Sequence, residues 1–439
     1  MPPVSSLEPD PTRDVLAKVS RRLIPFLLLL YVVAYLDRVN VGFAALQMTR
    51  DLRFSASVYG LGAGIFFIGY FFFEVPSNLI LHRVGARRWI ARIMISWGLI
   101  SAAMAFVTNP ATFYAMRFLL GAAEAGFFPG IVLYLTYWFP PAERAHAVAR
   151  LMTGVPLASL LGGPVSGLLL GLDGRAGLAG WQWLFLAEGL PAFALGFVVL
   201  GFMTDRPEEA EWLDAGERAS IAAGLDRDRT ATDRAHTLRQ ALSSPGVWLL
   251  ALVYFLIING LYGMSLWLPQ ILKSASGLGD LEVGLASAVP YVGATVAMML
   301  VARHSDRTGE RRRHLAASAF VAASGMALSA GAHTLPTQLL ALSLAAVGIM
   351  SAFGPFWATA TGLLRGEAAA GGIALINSIG NLGGFVSPTL IGFVKDATGS
   401  YALGLLAVAA ALTLAGFLAW GLRDTRRGQG RNGISNTAT

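Results

Sequence analysis

The chain has 439 residues, 55% hydrophobic and only 13% charged, with a formal net charge of +7 and no cysteine. That mix excludes an ordinary soluble globular protein, and the missing cysteines exclude disulfides, thiolate metal sites and a cysteine nucleophile. The basic excess is no nucleic-acid signal, because the Lys and Arg residues are distributed between apolar runs.

Spanning roughly 30 Å of hydrocarbon takes about 20 apolar residues. Residues 1–22 are hydrophilic and mix Glu8, Asp10 and Asp14 with Arg13, Lys18, Arg21 and Arg22, which makes a poor leader peptide and suits the flank of an uncleaved first span. Six spans are predicted within 23–203, starting near Leu23, Ala56, Trp89, Thr112, Ala145 and Trp181. A hydrophilic linker covers 204–245, where Pro207, Glu208 and Glu209 form a helix start and Asp214 with Glu217 has the spacing of a capping box; one or two short helices are expected. Six more spans are predicted within 246–422, starting near Val247, Leu281, His314, Pro336, Ala368 and Tyr401, followed by a polar tail, 423–439, expected to be disordered. If both termini lie on one side, that side holds 26 Lys or Arg and the other five, which predicts cytoplasmic termini and an inner (plasma) membrane location.

The halves look duplicated. His82-Arg83-Val84-Gly85-Ala86-Arg87-Arg88 is matched 224 residues later by Asp306-Arg307-Thr308-Gly309-Glu310-Arg311-Arg312, and Glu143 is matched by Glu367 at the same interval. Leu161-Gly162-Gly163 and Leu382-Gly383-Gly384 lie 221 apart. Landmarks in one order at nearly constant spacing argue for two repeats, as in many transporters.

Four ionisable residues fall inside apolar spans: Asp37 and Arg38 in the first, Arg117 and Glu124 in the fourth. Charge at mid-bilayer is costly unless it is paired or lines a wet cavity, so these residues mark a substrate or proton route. Arg117 and Glu124, seven apart on a helix, share a face about 10 Å apart along its axis and are expected to serve one cavity at two depths. Tyr31, Tyr35 and Arg38 share a face of the first span, whereas Asp37 is rotated away and is expected to meet a neighbouring helix. A guanidinium suits a carboxylate because it stays protonated and offers parallel donors. Unlike charges about 4 Å apart at an effective dielectric near 20 interact by roughly 4 kcal/mol. A substrate anion that engages an Arg therefore leaves less positive potential for Glu124, which takes a proton. The alternative is that the four charges only tie helices together.

The basic loops resemble the loop signature of the major facilitator superfamily, Gly-x-x-x-Asp-Arg-x-Gly-Arg-Arg; the second copy keeps the acid as Asp306, and the first has His82 there. Tyr35-Leu36-Asp37-Arg38-Val39-Asn40-Val41-Gly42, Phe66-Phe67-Ile68-Gly69-Tyr70, Glu74-Val75-Pro76-Ser77-Asn78 and the run from Arg117 to Gly130 together look like the anion:cation symporter branch of that superfamily. The resemblance runs from about Arg21 to Arg423. It implies an all-α membrane protein of twelve transmembrane helices in two six-helix bundles related by pseudo-two-fold symmetry. It further implies Asp37 and Glu124 as proton-carrying acids, Arg38 and Arg117 as the cations of the binding region, and Arg83, Gly85, Arg87, Asp306, Arg307 and Gly309 as residues of the conformational loops.

Further candidates for substrate contact are Tyr35 and Tyr70 in the first half, and Asn259, Tyr262, Asn377 and Asn381 in the second, whose spans lack central charges. Helix packing explains Tyr70 and the asparagines equally well. Glu74 is expected near the cytoplasmic side, answering Arg87 or Arg88; Trp181 and Trp183 read as an interfacial belt, and Glu188 as one member of an outer gate pair. Gly154, Gly162, Gly163, Pro164 and Gly167 partly resemble an antiporter glycine-proline motif, though close packing or a hinge explains them too.

The reading is a secondary active carrier, not an enzyme, that imports a small organic acid anion with protons by alternating access. It works as a monomer in contact with lipid, without cofactor, metal or nucleic acid. The alternatives are a proton-coupled exporter of drugs or metabolites and a non-transporting nutrient sensor.

Overall fold

A computed structural model of the protein describes residues 11–229, 244–363 and 367–422. Residues 1–10, the linker centre 230–243 and the expected tail 423–439 lie outside them, as does the side chain of Glu367. The described residues are helical almost throughout and include no strand. Eight helices precede the linker: α1 Pro11–Asp51, α2 Ala56–Val84, α3 Ala86–Ala103, α4 Pro110–Glu124, α5 Phe127–Thr136, α6 Pro141–Met152, α7 Gly154–Leu170 and α8 Gly180–Phe202. The linker carries α9, Ala215–Arg229, and seven more follow: α10 Pro245–Ser276, α11 Asp280–Thr308, α12 Arg311–Ala330, α13 Leu335–Leu363, α14 Glu367–Asn381, α15 Gly383–Thr398 and α16 Ala402–Gly421.

Eleven of the described helical spans are long and apolar enough to cross a membrane, with α4 and α5 forming one of them and α14 and α15 another. The predicted ninth span, α12, is as long as α16 at 20 residues, but three arginines and many small residues dilute its apolarity. Its buried Ala316, Ala319, Ala322 and Ala323 let α13 approach closely. The protein is a multi-pass membrane protein of two helical bundles, α1–α8 and α10–α16. Large apolar side chains such as Phe72, Leu300, Leu340 and Phe417 point outward, as a lipid-facing surface requires.

The fourth span is broken. α4 stops at Glu124, Ala125 is extended at ψ 133°, and Gly126 adopts φ +85° before α5 begins. Glycine is needed there twice over: that φ is strained for other residues, and a Cβ would come within 2.3 Å of Ser77 Oγ.

The bundles pack tightly at the face opposite the termini. A Cβ on Gly163 of α7 would lie 2.3 Å from the Gly284 carbonyl of α11, and one on Gly60 of α2 would lie 2.3 Å from the Pro388 carbonyl of α15. Backbone therefore touches backbone at both contacts. Asp396 adds a cap, accepting from Ala56 N at 3.0 Å and Ser57 N at 2.8 Å, and Gln47 donates to Asp280 at 2.8 Å.

On the terminal face, Asp214 and Glu217 form the reciprocal capping box, with amide-to-carboxylate distances of 2.8 and 2.9 Å. Lys18 binds Glu217 at 2.8 Å, docking α9 on α1. The loop signatures differ as their sequences do. Asp306 pairs with Arg311 in the second copy. In the first, where His82 replaces the acid, Asp205 after α8 accepts from Arg87 N at 2.8 Å and packs on Gly85.

Candidate functional site

Arg38 is the hub. Its helix, α1, runs through the first bundle along the seam with α10, and the guanidinium divides its donors between the two sides. Nη1 donates to Tyr262 of α10 at 3.0 Å, while Nη2 pairs with Glu124 at the broken end of α4. The cation also lies 5.5 Å from the Phe66 ring and 5.3 Å from the Tyr70 ring, favourable positions for a positive charge. Tyr262 packs in turn on Phe67 at 4.4 Å. The Arg38 side chain is 14% exposed and that of Glu124 1%, so the pair is shielded from bulk water.

The pair is incompletely satisfied. Arg38 Nε, Glu124 Oε2 and the Tyr35 hydroxyl are buried without a hydrogen-bond partner. Each of these atoms has capacity for a further hydrogen bond with a bound polar group. Tyr35 lies on the α7 side, packed with Val32, Val39 and Ala158. A small cavity of about 10 Å³ close by is lined by Val39, Phe43, Ser159, Ser265 and Tyr291, among others, and so lies between the two bundles.

Arg117 departs from expectation. It is fully buried and donates from Nε to the Gly62 carbonyl at 3.3 Å and from Nη2 to the Ala63 carbonyl at 3.2 Å, with Phe66 5.0 Å away. Those contacts hold α4 to α2, and Arg117 has no ion pair among the described residues. It shares the Phe66 ring with Arg38.

Asp37 faces away from Arg38. Its carboxylate accepts from Trp97 Nε1 and Ser101 Oγ, each at 2.8 Å, and from Asn40 Nδ2 at 3.3 Å. Neutral donors, two of them on α3, thus hold an acid that is 1% exposed. Nothing in the hydropathy pattern singles out Trp97 and Ser101.

Glu74 answers neither Arg87 nor Arg88. It crosses to the second bundle, accepting from Asn377 Nδ2 at 2.7 Å and from Ser378 Oγ. Asn259 and Asn381 are buried where α10 meets the junction of α14 and α15. Glu188 accepts from Ser166 of α7 at 3.2 Å, inside its own bundle, and so is not half of a pair between bundles. Trp181 is 3% exposed and donates to Asp51, at the outer end of α1, at 3.1 Å.

Two bundles meeting at a shielded charged seam are the architecture of a membrane carrier. The model of the Major Facilitator Superfamily matches residues 27–388, and the chain belongs to that superfamily of transporters. It is 54% identical over 401 residues to a protein of Agrobacterium vitis named "Putative tartrate transporter", covering 91% of this chain and 92% of the relative. It is 43% identical over 398 residues to a "Quinolone resistance transporter" of Acinetobacter baumannii, covering 90% and 92%. A bacterial homologue of the human lysosomal transporter Spinster, in an inward-facing and occupied conformation, is similar with a TM-score of 0.75 at 16% identity. It covers 91% of this chain and 95% of that one, a likeness of fold alone.

Proposed function

We propose that the protein imports a small organic acid anion together with protons across the bacterial inner membrane, as a monomer of the anion:cation symporter branch with both termini cytoplasmic. The observation that carries this reading is the Arg38 guanidinium, held between Glu124 and Tyr262, with unpartnered buried polar atoms on the pair itself and on Tyr35. A substrate carboxylate matches that fork and competes with Glu124 for it. Displaced from its cation, Glu124 takes a proton, because an unpaired carboxylate in a low-dielectric seam is costly. Anion and proton then travel together. Asp37 is the second acid of the coupling: a proton there costs it one of its donors and loosens α1 from α3. The relative named for tartrate supports a hydroxy-acid substrate.

Purified protein in vesicles tests this with a panel of labelled mono- and dicarboxylic acids and an imposed inward proton gradient. Uphill uptake that collapses with a protonophore is expected, and Glu124→Gln is expected to keep exchange between preloaded vesicles while losing accumulation. Full accumulation in that variant overturns the coupling assignment. The relative named for quinolone resistance favours a second reading, export of an organic compound against protons. In that case external substrate drives protons outward, and a dye sealed inside the vesicles reports alkalinisation instead of acidification.

A further inference from the structure

Glu74 lies in the seam between the bundles, 2% exposed, with no ion pair among the described residues. Its two oxygens are both taken by the opposite bundle: Oε1 by Asn377 Nδ2 at 2.7 Å and Oε2 by Ser378 Oγ. Two donors on adjacent residues, one for each oxygen, make a carboxylate site, and an acid of the protein fills it. Glu74 follows Tyr70 by one helical turn, a rise of about 6 Å, and the Tyr70 ring lies against Arg38. The seam thus holds two neighbouring anion-binding groups, each filled by an acid of the first bundle: Arg38 by Glu124, and Asn377 with Ser378 by Glu74.

Taking the carboxylate reading above as given, we propose that Asn377 and Ser378 are the subsite for the far end of the substrate, and that Glu74 is an internal anion occupying it in the empty carrier. A substrate with an acid at each end displaces both side chains. A substrate with one acid displaces Glu124 and leaves Glu74 in place. Among the described residues, the ionisable side chains whose fields reach Glu74 include Tyr70 on its own helix, Arg38 on α1 and Tyr254 on α10. Of these only Arg38 is a cation, and the substrate's first carboxylate engages it. Glu74 is therefore the side chain that sets the preference between one acid group and two.

Tartrate and threonate test the proposal, being four-carbon hydroxy acids that differ only in a carboxylate against a hydroxymethyl group at one end. Their dissociation constants are measured by calorimetry on the purified protein. Glu74→Gln removes the competing charge at constant size and is expected to tighten tartrate about tenfold relative to threonate. Adding Ser378→Ala in that background is expected to abolish the gain. Should the glutamine variant fail to fold, Glu74→Asp withdraws the carboxylate by one methylene and is expected to move the ratio in the same direction. An unmoved ratio, or a gain that survives Ser378→Ala, overturns the subsite while leaving carboxylate transport standing. Binding of no acid of the wider panel by the unaltered protein sinks the carboxylate reading and the subsite with it.

Discussion

Arg38 and Tyr262 stand 224 residues apart, the interval that separates the repeat landmarks, and they are hydrogen-bonded to each other at 3.0 Å. Residues at equivalent positions of two repeats touch only near the pseudo-two-fold axis that relates them. The shared position is an arginine in one half and a tyrosine in the other, so the axis carries a single positive charge with a phenol to receive it. Gly60 and Gly284 show the same interval, each at a close backbone contact with the other bundle.

Replacement of Arg38 by Lys keeps the charge and loses the fork. A hydrogen bond to a charged group is worth about 1.5–3 kcal/mol, so apparent affinity for the transported acid is expected to fall tenfold or more. Tyr262→Phe removes one acceptor of the same guanidinium and is expected to cost about tenfold, for a charged hydrogen bond worth about 1.5 kcal/mol. Unchanged uptake kinetics in both variants removes Arg38 from the binding site.

Trp97→Phe takes one donor from the buried Asp37 carboxylate. Leaving a charged acceptor under-satisfied costs about 1–3 kcal/mol, which thermal unfolding in detergent is expected to register as a clear drop in midpoint. The phenyl ring keeps most of the packing that the indole of Trp97 makes against Phe127, so a drop of that size reports the lost hydrogen bond. An unaltered midpoint means the Trp97 donor contributes nothing to the hold on Asp37.

A valine at Gly163 cannot coexist with the Gly284 carbonyl 2.3 Å from its Cβ. The variant is expected to be held with the face opposite the termini open. Because the natural chain has no cysteine, Ser287→Cys gives a single probe beside this contact, at a residue 1% exposed in the closed arrangement. Impermeant maleimide is expected to label it several times faster with Gly163→Val than without. Equal labelling rates rule out this contact as the closure.

The lysine of α1 sets a pH limit on the linker. Lys18, by its hydrogen bond, holds the Glu217 carboxyl below the usual glutamate range. A lowered folded-state value means the docking contribution is complete above the ordinary glutamate pKa and is lost as pH falls through the lowered one. Protection of α9 amides from hydrogen exchange is expected to persist into mild acid, and Lys18→Ala to move its loss to higher pH. Identical pH profiles for the two proteins show that this contact does not dock α9.

Hydropathy, charge bias and the internal repeat made the helical architecture legible, because each is a property of single segments and loops. The position of Arg38 and Glu124 in apolar spans also pointed to the centre. Partners were harder. Glu74 meets Asn377 at a separation of 303 residues, and Asp37 meets two neutral side chains whose types carry no special signal. Asp205 stands in for the acid missing at His82, yet its own neighbourhood reads only as a loop before Pro207. The break after Glu124 was hidden in an apolar run, although the glycines and the proline of Gly121–Gly130 are the residues a jointed helix uses.

That joint bears on the order of events in transport. The half of the fourth span carrying Arg117 and Glu124 is pinned to α2, while α5 beyond Gly126 connects to it through a single left-handed residue. A change of backbone angles at that one residue re-aims α5 and leaves the acid in place. In the proposed coupling, such a joint lets the proton leave Glu124 toward the terminal face first, after which the recharged glutamate retakes Arg38 and displaces the cargo.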